Sequence, residues 1–235
     1  MSPPPHDPLT TLRDIRTLMA QSGRFISLSG LSGVAAGTFA LLGAAAAVWY
    51  FDVVPFSGEP TYLPEMTRSA ASRRNFVGFF LLDAGLVLVS ALAAGIFFTV
   101  RRARRQGQPV WGPLTTRFLV NLVLPLVAGG IFCLALIVQG AYRLVAPATL
   151  LFYGLALVNG GKYTLDDIRR LGFAEIALGL IASFLPGYGL EFWALGFGVL
   201  HVVYGIVMWR KYERVGRRCS TPSRKPNWTT ASVWV

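Results

Sequence analysis

The chain reads as all-α, a polytopic bundle of six transmembrane helices, and three observations predict this. Hydrophobic residues make up 54% of the 235 positions and charged residues 14%, where a globular domain carries about a quarter charged residues. The charges are clustered, leaving several long apolar runs, and a run of roughly 18 or more apolar residues crosses a hydrocarbon core of about 30 Å as a helix. Lys and Arg also concentrate in alternate connections between those runs, as they do in cytoplasmic loops.

The elements follow in order. Residues 1–24, "MSPPPHDPLTTLRDIRTLMAQSGR", form a polar N-terminal segment. Asp7 and Pro8 stand as N-cap and first-turn proline of a helix. Leu9, Leu12, Ile15 and Leu18 recur at helical spacing with Arg13 and Arg16 between them. That pattern suits an interfacial amphipathic helix, and a solvated helix packed on cytoplasmic loops fits it equally well. Residues 25–209 hold the transmembrane domain, with apolar segments at about 25–51, 76–100, 117–138, 144–161, 169–186 and 190–209. The fourth and fifth are short and lean on their flanks. "PGYG" (186–189) is a tight turn, so the last two segments form an antiparallel hairpin. Residues 210–235 are a basic tail read as disordered.

The first segment, "SLSGLSGVAAGTFALLGAAAA", places Ser29, Gly33 and Gly37 four residues apart, which clears one helix face for close packing. Alternating glycines recur in the last segment at Gly196, Gly198 and Gly205. Such faces serve contacts within the bundle, within a homo-oligomer, or with another subunit of a membrane complex. The segment ends in "GAAAAVWY", which resembles a signal cleavage site, but its apolar stretch exceeds the usual 7–15 residues and follows a long polar leader. We read it as a retained span. Trp49, Tyr50 and Phe51 close it, Trp193 opens the last segment, and Trp209 with Tyr212 closes that one, all at headgroup level.

With the N-terminus in the cytoplasm, 18 of the 22 Lys and Arg residues lie inside and only Arg68, Arg73, Arg74 and Arg143 lie outside. Both termini are then cytoplasmic, in agreement with an even number of spans. Arg73 and Arg74, beside the second span, are the feature against it. The net charge of +11 therefore reads as loop asymmetry facing anionic lipid, with no nucleic acid as partner. Cys133 falls in an apolar run and Cys219 in the tail, so the two cysteines form no disulfide framework and no metal spacing.

Ionisable residues inside the apolar runs are the candidate functional positions, because they are expensive there and are expected to face the bundle interior or a wet cavity. Glu175 lies about 12 residues before the centre of the PGYG turn and His201 about 13 after it, so at 1.5 Å per residue the hairpin brings them to similar depth. They are read as a pair, either a structural bond locking two helices or a group handling protons or solute. Asp83 in "FVGFFLLDAGLVLVS" enters from the outer side at a different level and is read as structural or as a second point on a polar route. Asn121, Asn159 and Gln139 read as interhelical hydrogen-bond formers.

Enzyme classes fail on inventory. Only His201 is a membrane histidine, so bis-histidine haem ligation is unavailable. The chain has no Walker-type loop and no GxGxxG before a helix, and we expect no cofactor and no metal. "GLSG" (30–33) resembles the Gly-x-Ser-Gly of rhomboid intramembrane proteases, which also carry a histidine on a last helix. The likeness departs in placing Ser32 on the first span and in the opposite half of the membrane, and a non-enzymatic component is the expectation.

"FISLSGLSGV", "LFYGLALVNGGKYTLDDIRRLG" and "GFGVLHVVYGIVMWRKYE" are similar to a group of bacterial six-span inner-membrane proteins of uncharacterised activity. The likeness covers most of the chain after residue 20. It implies inner-membrane localisation and six-span topology and carries no activity with it. The function expected is that of a scaffold, sensor or accessory subunit; the alternative is a small proton-coupled transporter or channel using Glu175 and His201.

Overall fold

The computed structural model describes residues 29–52, 54, 69–105, 107 and 111–213. The expected N-terminal amphipathic helix and the tail beyond residue 213 lie outside them. Among the described residues the chain is helical, with no strand. Five helices are long and apolar enough to cross a membrane: Gly30–Phe51, Ala70–Arg105, Pro113–Val138, Tyr142–Tyr163 and Gly189–Tyr212.

The elements are α1 (Gly30–Phe51), α2 (Ala70–Arg105), α3 (Pro113–Val138), α4 (Val145–Gly160), α5 (Asp166–Phe184), α6 (Gly189–Trp193) and α7 (His201–Met208). Short 3₁₀ turns, Tyr142–Leu144 and Gly161–Tyr163, flank α4. Two π-helical stretches, Ala194–Leu200 and Trp209–Glu213, join α6 to α7 and continue past it, so residues 189–213 run as one rod. The helix ends, with the rod taken as one element, lie within about five residues of the predicted segments everywhere but at α2. α2 is the exception, because its 36 residues make about 54 Å of helix where about 20 residues would cross.

Local chemistry sets the ends. α3 starts on extended Gly112 with Pro113 in its first turn, where a missing N–H costs nothing. It stops in a left-handed Gly140 (φ 75°). There the Gly140 N–H donates to the Ile137 carbonyl at 3.1 Å and the Ala141 N–H to Leu136 at 2.8 Å, a Schellman closure that satisfies two terminal carbonyls. Asp166 and Asp167 open α5 at the positive end of its dipole. The turn after α5 spans Leu185–Tyr188 with Gly187 at φ 108°, a backbone that favours glycine.

The fifth apolar segment is α5, and it does not qualify as a span by composition. Asp166, Asp167, Arg169 and Arg170 crowd its first turns and Glu175 sits mid-helix. It packs into the bundle nonetheless, mainly along α4. A methyl built on Gly154 of α4 comes within 2.7 Å of the Gly172 carbonyl, and one on Gly172 within 2.8 Å of the Gly154 carbonyl. Gly179, two turns further, approaches the Leu151 amide at 2.9 Å. Backbones this close exclude any side chain at these three positions.

α1 lies between α2 and the C-terminal rod, the rod leans on α5, α4 packs on both α5 and α6, and α3 packs on α4. A methyl on Gly37 meets the Gly198 carbonyl at 2.6 Å, one on Gly33 meets Gly205 Cα at 3.2 Å, and Gly30 abuts Trp209. Ser29 is buried at the start of the same face. The rings of Tyr50 and Phe51 at the far end of α1 stack on Phe79 and Phe80 of α2 at 4.4 and 5.6 Å. The outer faces of α2 and α3 expose Leu82, Val89 and Leu124 by about two thirds, continuous apolar surface that belongs in lipid.

Candidate functional site: a buried carboxyl, imidazole and phenol

Glu175 projects from the middle of α5, and the turn at 185–188 folds the rod back so that His201, first residue of α7, arrives beside it. His201 Nδ1 is 3.4 Å from Glu175 Oε1, with the carboxylate side chain wholly buried and the imidazole nearly so. A third group comes from α4: Tyr153 Oη lies 2.8 Å from His201 Nε2. Three helices therefore meet at one imidazole.

The hydrogen bonds assign the ring's protons. Nδ1 is 2.9 Å from the Gly196 carbonyl, which can only accept, so Nδ1 carries the proton. Nε2 of the neutral ring then accepts the Tyr153 hydroxyl proton. The Gly196 carbonyl is reachable because residues 194–200 are π-helical, and a widened turn of this kind frees carbonyls and recurs at functional sites. Phe197 stacks on the imidazole at 5.9 Å and meets the Tyr153 ring at a tilt at 4.9 Å, with Trp193 behind it at 5.2 Å. These rings wall the cluster with apolar surface.

Glu175 is left in an unusual position. Neither of its carboxyl oxygens has a hydrogen-bond partner among the described residues. Gly196 presses against it: a methyl there would lie 2.5 Å from Oε2 and 2.5 Å from Leu150 Cδ2. Glycine at 196 is thus required by close approach. Buried polar groups are ordinarily satisfied, so the orphaned carboxyl marks this cluster as special chemistry or a held proton.

The other predicted positions are elsewhere. Asp83 of α2 lies over α1, with both carboxyl oxygens 3.1–3.2 Å from a methyl built on Gly43; it is half-buried and apart from the Glu175 cluster. Gly33 and Gly37 form the α1 face against the rod, and Ser29 is buried at the N-cap before it. Ser32 donates its hydroxyl to the Ser29 carbonyl at 2.6 Å, and the ring nitrogens of His201 are taken by Gly196 and Tyr153. The serine and histidine are not paired. Of the three amides, Asn159 bridges helices by donating to the Asn121 carbonyl at 3.1 Å. Asn121 donates within its own helix to Arg117 at 2.8 Å, and Gln139 is the exposed cap of α3.

Two features went unread in the sequence. Tyr153 looks there like any aromatic in an apolar run. Asp167, buried at the start of α5, accepts from Lys211 Nζ and Tyr212 Oη, each at 2.9 Å, and lies 3.6 Å from Arg170. It ties the end of the rod to α5 on the side where Arg101 and Arg169 reach over the rings of Phe97 and Phe173. Among the described residues no group of three or more His, Cys, Asp or Glu is placed to hold a metal ion. Comparison with protein-family models, with curated proteins and with solved structures finds no match to the chain.

Proposed function

We propose that this protein is a six-span component of the bacterial inner membrane that acts without catalysis, as a scaffold, sensor or accessory subunit. The observation that carries the reading is that Glu175, His201 and Tyr153 converge from three helices, the carboxyl and imidazole shut away from the surface and the phenol half-buried. Polar groups in hydrocarbon are tolerated when they engage one another: Tyr153 ties α4 to the rod through His201, and Glu175 of α5 lies against the same imidazole. α5 completes the sixth span: its 19 residues reach about 28 Å, its charged first turns lie at the headgroups, and Glu175 is sheltered.

On this reading both termini are cytoplasmic. Reporters fused at Gln106 and Gly58 are expected to report cytoplasm and exterior respectively, and the reverse result overturns the orientation. Anionic lipid is the partner of the basic cytoplasmic face, and the glycine-lined faces suit a homo-oligomer or a membrane complex. The likeness to bacterial six-span inner-membrane proteins supports the same localisation.

The functional test uses the purified protein in proteoliposomes. Glu175→Gln and His201→Ala are expected to lower thermal stability, with no proton-coupled flux in either variant or in the wild type. A second reading, a small proton-coupled transporter, is favoured by the unpartnered oxygens of Glu175. It prevails if both variants stay folded and stable while an uptake present in the wild type disappears.

A further inference from the structure

One N–H faces two acceptors inside the bundle. The His201 Nδ1–H lies 2.9 Å from the Gly196 carbonyl and 3.4 Å from Glu175 Oε1. A carboxylate anion is the stronger acceptor: charge-assisted bonds are shorter and roughly twice as strong as neutral ones. An anion stripped of water also carries a desolvation penalty, which a nearby donor would relieve. Yet the donor stays on the neutral carbonyl, and both oxygens of Glu175 remain without a bond. A neutral carboxylic acid accounts for that choice; an ion pair does not.

We infer that Glu175 is a proton-binding site: it holds its proton at neutral pH, and loss of that proton to the aqueous phase moves the His201 Nδ1–H from the Gly196 carbonyl to the carboxylate. Of the elements packed around it, α6, which also packs on α5, carries only the buried carboxyl Glu191 as a titratable side chain, and α7 carries only the phenol Tyr204 besides His201. α7 presents His201 and α4 presents Tyr153, whose own proton is directed at Nε2. The π-helical stretch 194–200 contributes a backbone carbonyl and no titratable side chain. α1 carries no titratable side chain before Tyr50, and the nearest charges on α5 are Arg169 and Arg170 at its exposed start. Among the described residues no cation on these elements is therefore in place to hold an anion at Glu175. The consequence is mechanical. With the proton on, the imidazole is tied to its own helix through Gly196; with the proton off, it is tied across to α5, and the Gly196 carbonyl is left to backbone N–H groups of the following turn.

The test is infrared spectroscopy of the full-length protein in liposomes, with nitrogen-15 resonance of its histidines. The wild type at neutral pH is expected to show a protonated-carboxyl band that exchanges slowly in heavy water and is lost in Glu175→Gln. His201 is expected as the neutral Nδ1–H tautomer. Raising the pH should remove the band and move the Nδ1–H resonance downfield as its bond shortens to the carboxylate. Absence of the band at neutral pH overturns the proposal, as does a band that survives Glu175→Gln unchanged or never titrates before the protein unfolds. A doubly protonated His201 overturns it too. The histidine measurement needs only the wild-type chain, so it decides the matter even where the glutamine variant does not fold. None of these results depends on whether the protein carries solute, which the flux assay reads separately.

Discussion

Gly37→Ala and Gly85→Ala add the same methyl to two helices in the same apolar setting, and the structure predicts opposite outcomes. At Gly37 the new Cβ would lie 2.6 Å from the Gly198 carbonyl and 2.8 Å from the Val202 amide, where ordinary contact starts at 3.4 Å. Both neighbours are backbone, so no rotamer relieves the clash. α1 and the rod must part locally by about 0.8 Å, the gap between 3.4 and 2.6 Å. Overpacking of this kind costs about 1–3 kcal/mol. At Gly85 of α2 the methyl meets nothing within 4 Å, and replacing a mid-helix glycine by alanine stabilises by about 0.5–1 kcal/mol. The backbone gain is common to both variants, so their difference isolates packing and should be about 1–3 kcal/mol, with Gly85→Ala the more stable. Gly33→Ala, whose nearest atom is 3.2 Å away, should fall between them. Reversible unfolding in mixed micelles by a denaturing detergent, followed by circular dichroism, gives all three values. A Gly37→Ala protein as stable as Gly85→Ala refutes the contact between α1 and the rod.

Two further outcomes follow from the cluster and its neighbour. Tyr153→Phe keeps the ring but leaves His201 Nε2 buried without its donor, which should cost about 1–3 kcal/mol in the same unfolding assay. An unchanged stability would place the hydroxyl elsewhere. Asp167→Asn removes a charge from the tie to Lys211, which is half-exposed. The loss should be small and shrink at high salt, and a large, salt-independent loss would mean the contact is sealed from water.

What was legible in the sequence depended on whether neighbours in space were neighbours in the chain. Hydrocarbon-length apolar runs mark five crossing helices because composition alone decides them. The meeting of Glu175 and His201 was also readable, since a short turn at 186–189 converts residue counts into depth. Tyr153 was not, because α4 is placed against the rod by packing of Leu150 and the π-helical turn, and helix rotation leaves no local trace. The π-helical stretch "ALGFGVL" carries two glycines and no other sign of its widened turn. The Gly172–Gly179 spacing on α5 was present to be read, a seven-residue step facing α4, but it hides in a helix whose charged first turns draw the eye. Asp167 has no sequence neighbour that marks its role, since only the rod's return places Lys211 and Tyr212 over it.

The central claim is that Glu175 and His201 meet inside the bundle, and a double-mutant cycle on Glu175→Gln and His201→Ala measures it most directly. The stabilities of the wild type, both single variants and the double variant, taken in one micelle system, yield the coupling. Groups in contact interact by about 0.5–3 kcal/mol, whereas independent sites add to within about 0.5 kcal/mol. A coupling in the first range is the result predicted; strict additivity contradicts it.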